Sequence, residues 1–467
     1  MLAVARTLKL LPAARREAGR SSRLSYVDGA RALAALYVVL HHCFQWVWNV
    51  PGEPPPSDTA WLVVGWQAFG HYAVSAFIAI SGFSLMLPVV RASGQLAGGA
   101  WTFFKRRARR IIPTYYAAIG FALLLDWLFI GQPSNTAWDV TLPITVRTVV
   151  THLLLIHDLD KSGFYTINGV FWSIAIEWHI YFLFPLLVLL ARRLGTLATT
   201  VGTLLLSSLV FFLVITYGLQ MLQILPPYWA DKLSYLPGRF TQIIDYVGLF
   251  ALGMLSATIA YSPQRAWATV RRRVPWMAMA LGVAIGVLIL LVLHGRQLGT
   301  WGTYLLDILT ALLTLSLFIA AASSTQGIIA RVLGMRPLAF VGQYAYSIYL
   351  IHAPIVGVIF ATLVSPYLIQ TFHLSRTAQN AILIAIVLPV VLVMAYGFYL
   401  LFERPFIAKR PSSIRPTGVL SVAGSADGAL VGSTPVIATM ALAPGHDGGV
   451  RSQPSGNDAP PFPRHES

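Results

Sequence analysis

Apolar residues run through this chain in blocks of about twenty, separated by short polar segments rich in arginine. Ten blocks fall at roughly 30–50, 68–90, 111–130, 169–191, 197–217, 241–261, 275–293, 303–322, 341–364 and 380–402. Each is near the ~20 residues that a helix needs to cross a ~30 Å hydrocarbon core. The pattern predicts an all-α, polytopic membrane protein of about ten transmembrane helices occupying 25–407. A basic arm, 1–24, precedes it; the arm has no apolar core followed by a cleavage site and reads as a cytoplasmic extension rather than a signal peptide. Residues 408–467 turn to Gly, Pro, Ser and Ala and are predicted to be a disordered cytoplasmic tail, too poor in apolar side chains to fold alone.

Two connections are long. Residues 51–67, with several prolines and two tryptophans, read as an outer loop with interfacial aromatics. Residues 131–168 contain Val149–Ile156, an apolar run too short to span, which reads as an interfacial or re-entrant helix. No pattern repeats between the two halves, which weighs against an inverted-repeat transporter.

Composition agrees: 56% of residues are hydrophobic and only 11% charged, which excludes a water-soluble domain. The formal net charge of +16 raises nucleic acid as a partner, and its distribution removes it. With the N-terminus inside, 26 of the 33 Lys and Arg fall on the inner side. Six (Arg147, Lys161, Lys232, Arg239, Arg296, Arg376) fall outside, and Arg31 lies within a helix. This is the positive-inside asymmetry, and it places both termini in the cytoplasm. The single cysteine, Cys43, excludes intrachain disulfides and a thiolate metal cluster.

Ionisable side chains within the apolar blocks are costly and therefore mark function. In the first block, Asp28-Gly29 is an N-cap ahead of Arg31, and His42 follows eleven residues later. Arg31 and His42 lie only ~20° apart around the helix and ~16 Å apart along it. An arginine so near a helix end also serves as a snorkelling anchor. His42, ~18 Å in, is the candidate general base or proton relay; His41 points ~100° away and is expected to be structural. In the fourth block Ser173, Glu177 and Tyr181 stand at i, i+4 and i+8 as one polar stripe, headed by Trp172. In the ninth, Tyr349 and His352 share a face at i, i+3. Counting from helix ends puts His42, Glu177 and His352 in one layer, about 12 Å from the outer face. Ser81-Gly82 in the second block provides a hydroxyl and a close helix approach. Arg106, Arg107 and Arg110, in the run Lys105–Arg110, form a cationic cluster at a cytoplasmic helix start, suited to a phosphate-rich cosubstrate or to lipid head groups. His71, Asp126, Asp245 and Asp307 near outer helix ends are expected to be structural. A zinc site from His41, His42 and Glu177 has no recognised ligand spacing, and no metal is expected.

At these residues the chain resembles the acyltransferase-3 superfamily of integral membrane acyltransferases, over roughly 25–407. The likeness rests on six motifs in order: Asp28-Gly29-x-Arg31 with His42; Ile80–Phe83; Arg107 and Arg110 with Pro113; Trp172, Ser173, Glu177, Tyr181, Phe184 and Pro185; Tyr346, Tyr349, Leu350 and His352; and Glu403–Phe406. Departures are Ala345 for a usual serine and Trp178-His179 for a commoner acidic-glutamine pair, which bears on the acceptor pocket. Some relatives add an extracytoplasmic esterase-like domain at the C-terminus, a role the short tail here is not expected to fill. The resemblance implies transfer of an acyl group, commonly acetyl from acetyl-CoA, to a hydroxyl of an envelope glycan or lipid-linked sugar at a bacterial inner membrane. It also implies donor phosphates on Arg31, Arg106, Arg107 and Arg110, with catalysis by His42, Glu177, Tyr349 and His352. The competing reading is a proton-coupled transporter or flippase, for which buried His and Glu form the relay.

Overall fold

The computed structural model describes residues 24–48, 55–130, 141–160, 162–222, 236–295, 297–324 and 327–407. The basic arm, the start of the 51–67 loop and the tail lie outside the described residues. Regular structure among the described residues is helical throughout. The α-helices are α1 (Ser25–Trp48), α2 (Asp58–Val64), α3 (His71–Arg91), α4 (Gly99–Leu125), α5 (Val146–Leu153), α6 (Trp172–Leu194), α7 (Thr196–Leu222) and α8 (Leu236–Tyr261). They continue with α9 (Arg265–Arg273), α10 (Trp276–His294), α11 (Thr300–Ser323), α12 (Ile328–Leu333), α13 (Arg336–Val341), α14 (Ala345–Ile359) and α15 (Arg376–Phe398). A π-helical stretch, Tyr399–Glu403, ends the bundle.

Among the described residues, nine helical stretches are long and apolar enough to cross a bilayer. The tenth expected span, α1, has 24 residues, or about 36 Å, but carries Arg31, His41, His42 and Gln45. It tolerates them because it packs against α3, α13, α14 and α15 rather than facing lipid alone.

Helices α3 and α8 make the most extensive pairing. Gly82 lies under the Phe250 carbonyl and Gly253 under the Ala79 carbonyl, where an added Cβ would sit 2.1 and 1.9 Å from oxygen. Small residues let the backbones meet where lipid provides no hydrophobic drive for association.

The apolar run in the long connection forms α5, capped by a reciprocal Thr145–Thr148 box. It is amphipathic with its apolar face outward: Val146 is 82% exposed, while Thr148 and His152 are buried. The polar face closes on an inner cluster. The His152 and His157 rings stack 3.8 Å apart at 10°, Asp158 lies 3.2 Å from His179 of α6, and Arg147 pairs with Asp160 at 2.9 Å. Asn168 then donates to the Leu350 carbonyl at 2.9 Å, tying this connection to the middle of α14. Burial holds His152 down to about 4, and burial together with His152 holds His157 well below its ordinary value.

Two outcomes follow from this packing. Gly253→Leu, forced against backbone, is expected to cost ~2 kcal/mol or more in thermal unfolding, whereas Gly282→Leu, with open space around it, is tolerated. Because His152 is neutral when folded and takes a proton at its ordinary 6.5 when unfolded, its contribution is intact above that value and declines as pH falls toward about 4. Amide protection factors across 146–159, corrected for the intrinsic exchange rate at each pH, should therefore fall on acidification, and His152→Gln should flatten that response.

Candidate active site

Five helices and the C-terminal turn enclose a cavity of about 450 Å³. Its polar lining comes from Asp28 and Arg31 on α1, Ser81 and Ser84 on α3, Arg107 and Arg110 on α4, Ser173, Glu177 and Tyr181 on α6, Tyr346 and Tyr349 on α14, and Glu403. Thus the i, i+4, i+8 stripe of α6 faces one space, as its spacing requires.

Cations gather at one end. The Arg31 guanidinium donates to Ser84 Oγ at 2.7 Å and lies 3.4 Å from Asp28. Arg107 lies over the Phe103 ring at 5.9 Å, within electrostatic range of Tyr181 and Glu177. Its Nε is buried with no hydrogen-bond partner among the described residues, so the site has donor capacity that its own side chains leave unused. Arg110 is half-buried and faces the Glu403 carboxylate more remotely. Arg107 and Arg110 are three residues apart and share a face; Arg106 is rotated ~100° from Arg107, is exposed and does not line the cavity. Arg106 therefore stands apart from the cavity face that Arg107 and Arg110 share.

Glu177 organises the middle. Ser81 donates to its Oε1 at 2.7 Å and Tyr181 donates to the same oxygen at 2.5 Å. Both bonds are charge-assisted and short, which fixes the carboxylate rotamer. Next toward the other end, Ser173 Oγ and Tyr349 OH are 2.6 Å apart, and the Tyr349 hydroxyl also reaches the Val170 carbonyl at 3.2 Å. The cavity stops here, where the Phe77 and Tyr349 rings meet edge to face 5.8 Å apart.

The histidines lie beyond this closure. His42 and His352 have ring centroids 5.0 Å apart, and His352 is 5.8 Å from the Tyr349 ring. Donation from His352 Nδ1 to the Tyr349 carbonyl at 2.8 Å and the Ile348 carbonyl at 3.1 Å assigns the tautomer. Nε2 is then a lone-pair acceptor, buried and without a hydrogen-bond partner among the described residues. His41 is held separately by the Gln67 carbonyl at 2.9 Å, the structural role its direction implies.

The single layer of His42, Glu177 and His352 is not what the structure shows. Ser173 and Tyr349 share a level, Glu177 lies one turn toward the arginines and His352 nearly one turn the other way, roughly 10 Å apart along the axes. The count from helix ends fails because α6 starts at the depth of Leu350, where Asn168 docks, rather than at the membrane face. Gly82 and Trp172 also lie off the cavity: Gly82 serves the α3–α8 crossing and Trp172 stacks on Phe164. Among the described residues no three His, Cys, Asp or Glu are placed to hold a metal ion.

Glu403 is a site residue that sequence reasoning quoted only within a motif. It is 1% exposed, accepts from Ser347 Oγ at 2.6 Å at the start of α14, and has Arg110 and Arg31 within electrostatic range. Thr114 of α4 holds the adjacent Phe402 carbonyl at 2.9 Å, which fixes the turn. The available signal was a lone carboxylate closing an apolar block.

Residues 24–400 match the acyltransferase-3 family, described as an acyltransferase domain. Among curated proteins, the O-acetyltransferase OatA of Staphylococcus aureus strain NCTC 8325 is 23% identical over 341 residues, 71% of this chain and 50% of that protein. OatA of strains COL and MRSA252 matches to the same extent. The chain spans about half the length of the curated relatives it matches, and no solved structure matches it. With five motif-bearing helices and the closing Glu403 turn around one cavity, and a family match over most of its length, the chain belongs to the acyltransferase-3 family.

Proposed function

We propose that this protein is a membrane O-acyltransferase that moves an acyl group, acetyl in the first instance, from a cytosolic acyl-CoA to a hydroxyl of a cell-envelope glycan or lipid-linked sugar. The observation that carries this reading is the cavity itself, with guanidinium groups at one end and Tyr349 backed by two imidazoles at the other. The positive-inside asymmetry supports a cytosolic arginine end and an inner bacterial membrane.

Arg31, Arg107 and Arg110 take the donor's phosphates, where planar guanidinium groups give paired charge-assisted bonds. The thioester arm extends along Ser81 and Glu177 toward Tyr349. An imidazole of the His42–His352 pair accepts the proton of the acceptor hydroxyl as its oxygen bonds to the acyl carbon. The C–S bond breaks, and the departing thiolate takes up a proton. The free Nε2 of His352 makes it a proton acceptor rather than an oxyanion donor, so stabilisation of the tetrahedral oxygen falls to the Tyr349 hydroxyl. Transient acylation of His42 is the two-step version of the same path. Glu177 touches neither imidazole in the described contacts; its work is to fix Ser81 and Tyr181 and to face Arg107.

Purified protein given radiolabelled acetyl-CoA should release CoA. His42→Ala should lower kcat at least ~100-fold, the usual weight of a positioned general base. Arg110→Ala should raise the donor KM ~10-fold or more with a smaller effect on kcat, as loss of a charge-assisted contact implies. Full activity in the His42 variant would refute the mechanism. A folded wild type that neither binds nor turns over the donor would transfer the assignment to proton-coupled transport.

A further inference from the structure

Beyond the closed end of the cavity, four helices bring a second polar cluster together, opposite the arginines. His71 opens α3, Trp172 opens α6, Asp245 and Tyr246 lie on α8, and Asp307 lies on α11. His71 Nε2 is 3.3 Å from Asp307 Oδ2, and the Tyr246 hydroxyl is 3.4 Å from the same nitrogen. Ser75, fully buried, donates to Asp307 Oδ1. The Trp172 indole lies nearly parallel to His71 and to Tyr246, with centroids 6.2 Å apart in each case.

A polar knot that only joins helices satisfies its own groups, and this one does so for Asp307 but not for Asp245. Asp245 lies within electrostatic range of Asp307, yet its Oδ1 is buried with no hydrogen-bond partner among the described residues. Asp307 therefore takes the imidazole, and Asp245 beside it keeps one buried carboxylate oxygen with no donor among the described residues. The cluster is reachable: the His71 side chain is 35% exposed, and Tyr165, packed edge to face on Phe164 beside Trp172, is 47% exposed. It also adjoins the reaction end of the cavity. Tyr246 has Tyr349 within electrostatic range, Ser75 neighbours Val74 of the lining, and Trp172 neighbours Ser173.

We infer that His71, Asp245, Asp307 and Trp172 form the acceptor subsite, and that it takes a polyhydroxyl ligand, a sugar ring with adjacent hydroxyl groups. Carboxylate oxygens accept pairs of hydroxyl protons, and aromatic walls pack against the apolar face of a sugar. A ligand of this class supplies a donor to Asp245 Oδ1, which no described residue does. The assignment rests on the acyltransferase reading, because it places the acceptor hydroxyl on the side of Tyr349 opposite the donor.

The test uses full-length protein purified in a sugar-free detergent, with acetyl-CoA as donor and octyl β-glucoside and octyl β-N-acetylglucosaminide as acceptor probes. Released CoA and acetylated glycoside are counted separately. The wild type should acetylate at least one glycoside. Asp245→Asn should raise the glycoside KM at least tenfold while the acetyl-CoA KM stays within twofold, and Asp307→Asn should behave alike. Asp245→Ser is the second variant should the amide disturb folding. A glycoside KM within twofold of wild type in the Asp245 variants, or donor and acceptor KM rising together, overturns the subsite. A wild type that releases CoA to water but acetylates no glycoside overturns the polyhydroxyl assignment and leaves acyl transfer standing. A folded wild type that releases no CoA removes the underlying reading instead.

Discussion

Charge inside an apolar bundle has to be answered by charge or by hydrogen bonds, and that constraint organises this protein. Arg31, Arg107 and Arg110 line one cavity together with Asp28, Glu177 and Glu403. The six groups come from α1, α4, α6 and the C-terminal turn, so none of these four elements can leave its place without stranding a charge. Ser81, Ser84, Tyr181 and Ser347 supply the remaining bonds. The cavity is therefore a structural centre as much as a chemical one.

Sequence spacing made the local geometry legible. The stripe Ser173–Glu177–Tyr181 follows from helical periodicity, as does the separation of Arg107 and Arg110 from Arg106. The spans were legible for the same reason, since length and hydropathy are local properties. Relations between helices were not. The depth of Glu177 relative to His352 depends on where α6 begins, and a hydrogen bond from Asn168 to α14, invisible in any one segment, sets that start. The pairing of His42 with His352 needed the α1–α14 packing, and Glu403 needed the turn that folds it back onto α14. His71, Asp245 and Asp307 are each unremarkable alone in the sequence; only their assembly leaves Asp245 Oδ1 without a partner among the described residues.

The connection carrying α5 shows how the solvent decides the pattern. In water its apolar face would turn inward, whereas here Val146 and its neighbours face outward and the histidines face in. The inversion gives the connection a polar core within a largely apolar structure. Its acid sensitivity is thus a property of the scaffold next to α6 and α14, separate from the chemistry of the cavity.

The edge-to-face contact of Phe77 and Tyr349 divides the space between the two polar regions. For the acyl transfer proposed above, a two-carbon fragment would have only this aromatic pair to step past while hydrated ions are held back, so the bilayer would remain an electrical insulator as small covalent cargo changes sides.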